Sequence, residues 1–568
     1  VEDHVDQVLK FNIAPSFRHD REANNAANIG DYPPPGDRNL RDPSLELRVT
    51  YPHPASIPRD AMSMRLWSMS SKDRSMASSP RNARARTKAA HASRPEFHAL
   101  PEAEYLPRIT MQERVARGRA LQHEVPHDRH ASWQPLSTRP DPIGILERQA
   151  LERIEELVPI RHGRMSSSAF AFFRGAAAVM ASDLAGTATV GLNAQLCGDA
   201  HLMNFGIFET PERSLSFAVN DFDETLPGPF EWDVKRLAAS MEVAGRDLGF
   251  TSAQRQSAVL ATLRSYREAM HEFAGERELD LWYARLPAEK LRERLAAEAD
   301  RGASKEVERQ VRKALHRDHL AAFDRLVREV DGEIRFVSEP PLLVPVEELL
   351  DDEQRTRYVE VIRSFLTQYR ESLPPHTRAL LERYRFAHIA RKVVGVGSVG
   401  TRAWAVLMVG RDGSDPMFLQ LKEAQRSVLE PYTAPSVYES QGRRVVEGQR
   451  FMLAAGDHLL GWYRLKAWDG LEHDFYVRQL WDGKASIDIA HLSPAGFRAY
   501  GEACAWTLAR GHARSGDRIA IASYLGEKDS FDRAVASFAE TYAETNESDH
   551  ERLMQAIDDG QMQAVPDI

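Results

Sequence analysis

The sequence predicts an α+β chain of two lobes, a mainly helical lobe followed by a small antiparallel β lobe, with a weakly ordered tail in front. Apolar residues recur at helical spacing over much of 142–386. Strand-like apolar runs, punctuated by a glycine loop and an Arg-Asp-Gly-Ser-Asp-Pro turn, fill 387–424, and helical spacing returns after Pro494. The 568 residues exceed one ordinary core, and 42% hydrophobic against 28% charged residues exclude collagen-like, coiled-coil and wholly disordered classes.

Residues 1–108 are rich in Pro, Ser, Asn, Arg and His, show no sustained period, and are expected to be disordered or weakly ordered. Between Met62 and Arg94 eight Lys/Arg face one acid, Asp73. A weak contact with nucleic acid or another phosphate polyanion is open there, beside the plainer reading of a solvated tail. A mainly helical lobe is expected over 109–386. Its helices are Pro142–Leu157, Phe170–Ala185, Phe230–Leu248 and Ser252–Phe273, then a highly charged one over Ser304–Val330, and after the prolines at 340, 341 and 345 two more, Asp351–Ser372 and Pro375–Phe386. Gln195–Phe208 and Leu215–Asp221 read as short strands flanking a loop. A small β lobe is expected over 387–482, with three strand-like runs in Ala387–Ala424, a helix over Ser436–Ala454, and strands around Trp462–Ala467 and Phe475–Leu480. Residues 483–568 return to helix at Pro494–His512 and Ser530–Glu544, complete the helical lobe, and fray at the end.

A net charge of −9 gives no global basic field for nucleic acid or membrane surfaces. Cys197 and Cys504 are the only cysteines, too few for a disulfide framework or a Cys-rich zinc site. The most apolar stretch, Phe170–Leu184, is interrupted by Arg174 and Asp183, so no membrane span is expected. The opening Val1–Asp6 is acidic with no apolar stretch behind it, so no secretory signal is expected and the compartment is read as cytoplasmic.

Four local patterns carry chemistry. Gly198-Asp199-Ala-His201-Leu-Met-Asn204-Phe-Gly206 places an Asp and an Asn four residues apart on a loop. An Asp there can orient an attacking hydroxyl, and the Asn amide oxygen can ligate Mg²⁺ held on phosphates, as in the catalytic loop of kinases. Gly-Asp and Asn-Phe-Gly are also ordinary turn residues. Next, the strand Ser216–Val219 runs into Asn220-Asp221-Phe-Asp223-Glu224, presenting Asp221 as metal ligand with Asp223 second, or else an acidic cap before the next helix. Third, Gly395-Val-Gly397-Ser398-Val-Gly400 is a G-x-G-x-x-G loop. A dinucleotide-binding loop opens a helix, whereas this one precedes a strand and a hairpin turn, which is the setting of a phosphate-covering kinase loop. Fourth, Lys422 lies in the apolar strand Met417–Ala424 and needs an anionic partner. Bound phosphates plus Glu447, or else Glu439, of the following helix would supply it; the plainer alternative is an edge-strand lysine facing water.

Taken together the patterns resemble a protein-kinase-like fold in which the lobes are circularly permuted, since the glycine loop and lysine follow Asp199 and Asp221. Tyr476–Trp481 reads as the last strand of the small lobe, with Arg478 facing nucleotide. Thr507–Arg514 resembles the post-hinge helix of aminoglycoside phosphotransferases, and Pro229–Ala238 resembles the element in which an Asp, here Asp233, braces the catalytic loop. The stretch from about Glu113 to Leu525 resembles an uncharacterised bacterial family, domain of unknown function 2252, on Leu157–Met165, Phe170–Gly175, Gly198–Gly206, Asn220–Leu237, the glycine loop with Lys422, Arg444–Arg450 and His512–Asp517. That resemblance implies a nucleotide site and no particular substrate. Two departures from kinases stand out: His201 follows the Asp of the loop, and no conventional activation segment is apparent.

The expected activity is ATP- and Mg²⁺-dependent phosphoryl transfer to an unidentified small-molecule or protein hydroxyl, through Asp199, Lys422 and Glu447. A nucleotide-binding pseudokinase scaffold and an AMP-transferring enzyme remain open beside it, and the Asp199-x-His201 pair leaves a metallophosphoesterase as a minor alternative. Arg174 and His512–Asp517 are read either as cleft residues or as structural ion pairs at helix ends.

Overall fold

The computed structural model describes residues 109–566 except 136, 298–304, 306–307, 311, 313–322, 324, 331, 394, 467–469 and 481–484. The expected tail over 1–108 with its basic run, most of the helix expected over Ser304–Val330, and Trp481 lie outside the described residues. The described chain is a mixed α+β fold built from one six-stranded antiparallel sheet and a helical layer, with two strand pairs and a three-stranded sheet besides.

The sheet runs in the spatial order Gly461–Lys466, Glu472–Gln479, Pro416–Glu423, Ala403–Val409, Arg385–Lys392, Leu343–Pro345. Ala403–Val409 is apolar at every position because both faces of that strand are covered. Trp404, Val406 and Met408 pack with Ile362, Phe365 and Tyr369 of the helix Asp352–Ser372, while Ala405, Leu407 and Val409 pack with Phe336 and Phe418 on the other side. The register sets Lys422 beside Ala403 on one flank and Tyr476 on the other.

In the helical layer, Trp133 and side chains from 170 to 295 and from 485 to 543 share one core. Its main helices are Phe230–Asp247, Ser252–Gly275, Pro494–Ser515, Arg518–Leu525 and Ser530–Asp558. Local chemistry sets their starts. Thr251 and Gln254 form a capping box, Ser493 caps with Pro494 in the first turn, and Asp517 caps the helix it precedes.

Several expected elements change at their ends, each for a visible reason. The single helix expected over Phe170–Ala185 is two, Ala169–Gly175 and Ala177–Leu184, broken at Ala176. The carbonyl of Phe173 accepts from Ala176 N–H and from the buried guanidinium of Arg236, and that of Gly175 accepts from the buried guanidinium of Arg161. Pro142–Leu157 likewise divides into Pro142–Ala150 and a single turn at Glu155–Leu157. The helix expected to reach Phe386 stops at Leu381, because Arg385–Lys392 joins the sheet. Val327–Val330, at the end of the expected charged helix, is a strand paired with Glu333–Phe336. The last helix runs on past Glu544 to Asp558, through positions where buried Asn546 and Asp549 break the apolar period but bond to Ala169 O and Arg139. No helix among the described residues is long and apolar enough to cross a membrane.

Candidate functional site

The loop 197–204 is shaped by the helix beneath it. The backbone N–H groups of Cys197 and Gly198 donate to the Asp233 carboxylate at 2.8 and 3.1 Å, and Leu202 N–H donates to Ser240 Oγ at 3.0 Å. Asp233 and Ser240 are two turns apart on one face of Phe230–Asp247. Gly198 is at φ 81°, and a Cβ there would lie 2.3 Å from Glu224 O, so both conformation and space require glycine. Asp199 is thereby held at the mouth of a cleft, its side chain 18% exposed. Its Oδ1 accepts from Arg236 Nε at 2.6 Å. Burial pushes the Asp199 carboxyl up to about 6, against the pull of Arg236. Asn204 Nδ2 donates to Asp199 O at 2.8 Å, which orients the amide and turns its oxygen away from that carbonyl. Asn220 N–H donates to Asn204 O at 2.8 Å and ties this loop to the one bearing Asp221 and Asp223.

Lys422, 1% exposed, enters the same cleft from the sheet. Its Nζ is 2.5 Å from Asp223 Oδ2 and 3.6 Å from Asp221 Oδ2. Asp223 also accepts from Tyr476 Oη at 2.7 Å and Ser398 Oγ at 3.2 Å. Burial raises the Asp223 carboxyl, but Lys422, the Tyr476 hydroxyl and Arg478 more than reverse this and hold it at about 2. Lys422 behaves reciprocally: burial disfavours its charge, and the two aspartates overcome that and raise its pKa. Asp221 is pushed up by burial and by Asp223 beside it.

The lysine's partner is therefore not the expected one. Glu447 sits 3.3 Å from Arg450, and Asp223 takes the place assigned to it. Nor is Glu439 the partner: the carboxylates that pair with Lys422 are those of Asp223 and Asp221. The helix that carries Glu447, Gln441–Met452, contributes differently, through buried Arg444, which donates to the carbonyls of Asp223, Thr225 and Gln425.

Gly395, Gly397 and Ser398 line the cleft, with Gly395 and Gly400 at φ 65° and 89°. Gly400 lies just behind it, where a Cβ would be 3.1 Å from the Arg153 side chain. Arg478 lines the opposite wall, donating to Gln420 Oε1 at 2.9 Å and Asn220 O at 3.1 Å. The cleft they share has a volume of about 380 Å³. Arg174 also lines it. His512 does not: it is fully buried behind the loop, with Nε2 3.3 Å from Asp233 and Nδ1 2.8 Å from Tyr266 Oη. Asp517 is a helix cap.

The described residues hold no cluster of three or more His, Cys, Asp or Glu side chains set for a metal ion. Asp221 and the Asn204 amide oxygen are the oxygen donors that would hold a Mg²⁺ ion, of the kind magnesium takes. Asp223 already accepts from three protein donors, Lys422, Ser398 and Tyr476.

The sequence reading missed Arg236, Tyr476 and the role of Arg161. The available signal for Arg236, which is 2% exposed, was its place one turn past Asp233 on the helix that also buries Glu231 and Lys235. No curated protein and no solved structure matches the chain. Residues 153–556 match the model of a family described as an uncharacterized protein conserved in bacteria, DUF2252, and the chain belongs to that family.

Proposed function

We propose that the chain is an ATP- and Mg²⁺-dependent phosphotransferase of protein-kinase-like fold whose lobes are circularly permuted. One observation carries the reading. Asp199, Asn204 and Asp221 from one part of the chain meet Gly395, Gly397, Ser398, Lys422 and Arg478 from another in a single cleft, and Lys422 bonds to a carboxylate 199 residues away. The sheet supports it further. Its glycine loop joins the strands Arg385–Lys392 and Ala403–Val409, its lysine is on the next strand, a helix follows, and the last strand, Glu472–Gln479, inserts beside the lysine strand. That arrangement is the one expected of a kinase small lobe.

Under this reading the glycine loop and Lys422 hold the phosphates, and Asp221 with Asn204 holds the metal, which neutralises charge on the phosphate oxygens. Asp199, steadied by Arg236, accepts the acceptor hydroxyl's proton. The hydroxyl oxygen bonds to the γ-phosphorus as the bond to the β–γ bridging oxygen breaks, and ADP leaves with that electron pair. The metallophosphoesterase alternative has only the Asp199–His201 pair behind it, 3.7 Å apart, with no third His, Cys, Asp or Glu grouped with it for a metal among the described residues.

Calorimetric titration with ATP, with and without Mg²⁺, tests the reading. Mg²⁺-dependent binding is expected in the wild type, loss of it in Asp221→Ala, and unchanged binding in Glu447→Gln, whose carboxylate is engaged elsewhere. Absence of binding at millimolar ATP in folded protein sinks the proposal. Labelled ATP then shows whether the γ-phosphoryl group or AMP is transferred.

A further inference from the structure

One wall of the cleft is left unused by the nucleotide reading. It is built by the segment ahead of the catalytic loop, and it presents three arginines, Arg153, Arg161 and Arg174. Arg161 is 1% exposed. Its Nη2 donates to Gln149 Oε1 at 3.1 Å and Gly175 O at 2.9 Å, while its Nε and Nη1 are buried without a hydrogen-bond partner among the described residues. The Nε atoms of Arg153 and Arg174 are buried and unpartnered in the same way. No carboxylate pairs with Arg161 among the described residues; its resolved electrostatic neighbour is another cation, Arg153. Arg174 instead feels Asp199, which places this end of the cluster beside the proposed base.

A guanidinium does not escape burial by shedding its proton, so buried donors without partners, lining an open cavity, call for an anion. Lys422 already has its own carboxylates at Asp221 and Asp223. We propose that Arg161 and Arg174, with Arg153, form an anion site on the acceptor side of the cleft, so that the acceptor is a hydroxyl compound carrying a phosphate or carboxylate group. The assignment to the acceptor rests on the kinase-like reading; the anion site itself does not.

The test uses the full chain in oxyanion-free buffer, titrated with inorganic phosphate and, separately, acetate, each with and without Mg²⁺ and a non-hydrolysable ATP analogue at saturation. Phosphate or acetate is expected to bind the wild type, the stronger of the two naming the group, and Arg161→Met is expected to weaken it by about 10- to 100-fold, the loss of charge-assisted hydrogen bonds. In buffer without oxyanion the melting of Arg161→Met reads separately what the lost bonds to Gly175 O and Gln149 Oε1 cost the fold. Should that variant fail to fold, Arg174→Gln, at a partly exposed position, is expected to weaken binding in the same direction. Absence of binding by both probes, or unchanged binding in the variants, overturns the site. Competition between the probe and the analogue overturns the acceptor assignment. Retained phosphate binding in a protein that does not bind the analogue removes the kinase-like reading and leaves the anion site standing.

Discussion

Asp199→Asn is expected to lower the rate of transfer from ATP by about 10²- to 10⁴-fold, the usual contribution of a positioned general base, while Mg²⁺-ATP binding is retained. The asparagine keeps the shape and one oxygen for Arg236 but cannot take a proton. The pH profile provides a second check. Asp199 works as a base only when ionised, and burial places its carboxyl at about 6, so wild-type turnover should rise with pH through about 6 and then level. The variant should lack that limb. The stability contribution runs the other way: the folded-state pKa is raised, so what Asp199 contributes to stability is present at low pH and is lost as pH rises from the ordinary carboxylate range through about 6. A variant with wild-type turnover removes Asp199 from the chemistry.

The second large effect is on the fold beneath the site. Asp233→Ala is expected to destabilise the protein by about 3–5 kcal/mol, the cost of removing one partner of a buried charged network. Asp233 is 2% exposed and receives two backbone N–H groups and His512, all of which lose their acceptor together. Asp233→Asn retains one acceptor oxygen and should lose less. Urea unfolding followed by tryptophan fluorescence reads both, and a midpoint for the alanine variant equal to wild type would remove Asp233 from the support of the loop.

Which residues meet in the candidate site was legible in the sequence where the grouping is local. Asp199 and Asn204 share one loop, and the glycine loop precedes a strand that ends in a turn, so spacing and flanking texture were enough to locate them. The partner of Lys422 was not legible, because it is chosen by how a distant loop meets the sheet: register places Tyr476 beside Lys422, and both then reach Asp223. Glu447 is on a helix of the expected kind, but Arg450 and Arg443, on that same helix, take its carboxylate. The core strands Ala403–Val409 and Pro416–Glu423 were readable as apolar runs. The break at Ala176 and the reach of the last helix to Asp558 were not, since both depend on arginines from elsewhere in the chain, Arg161 and Arg236 at one and Arg139 at the other.

The glycine loop is fastened at three points to residues between 153 and 164. Ile154 N–H donates to Gly400 O at 2.8 Å, Arg153 Nη1 donates to Val399 O at 2.5 Å, and Arg164 donates to Gly395 O. These bonds act as a clasp that has to unfasten whenever the loop lifts. Deuterium uptake at the single amide of Ile154 therefore counts the openings, and Arg153→Ala should raise that count. In the proposed transferase, an opening slower than the chemistry would make the clasp rather than the cleft set the pace of each cycle.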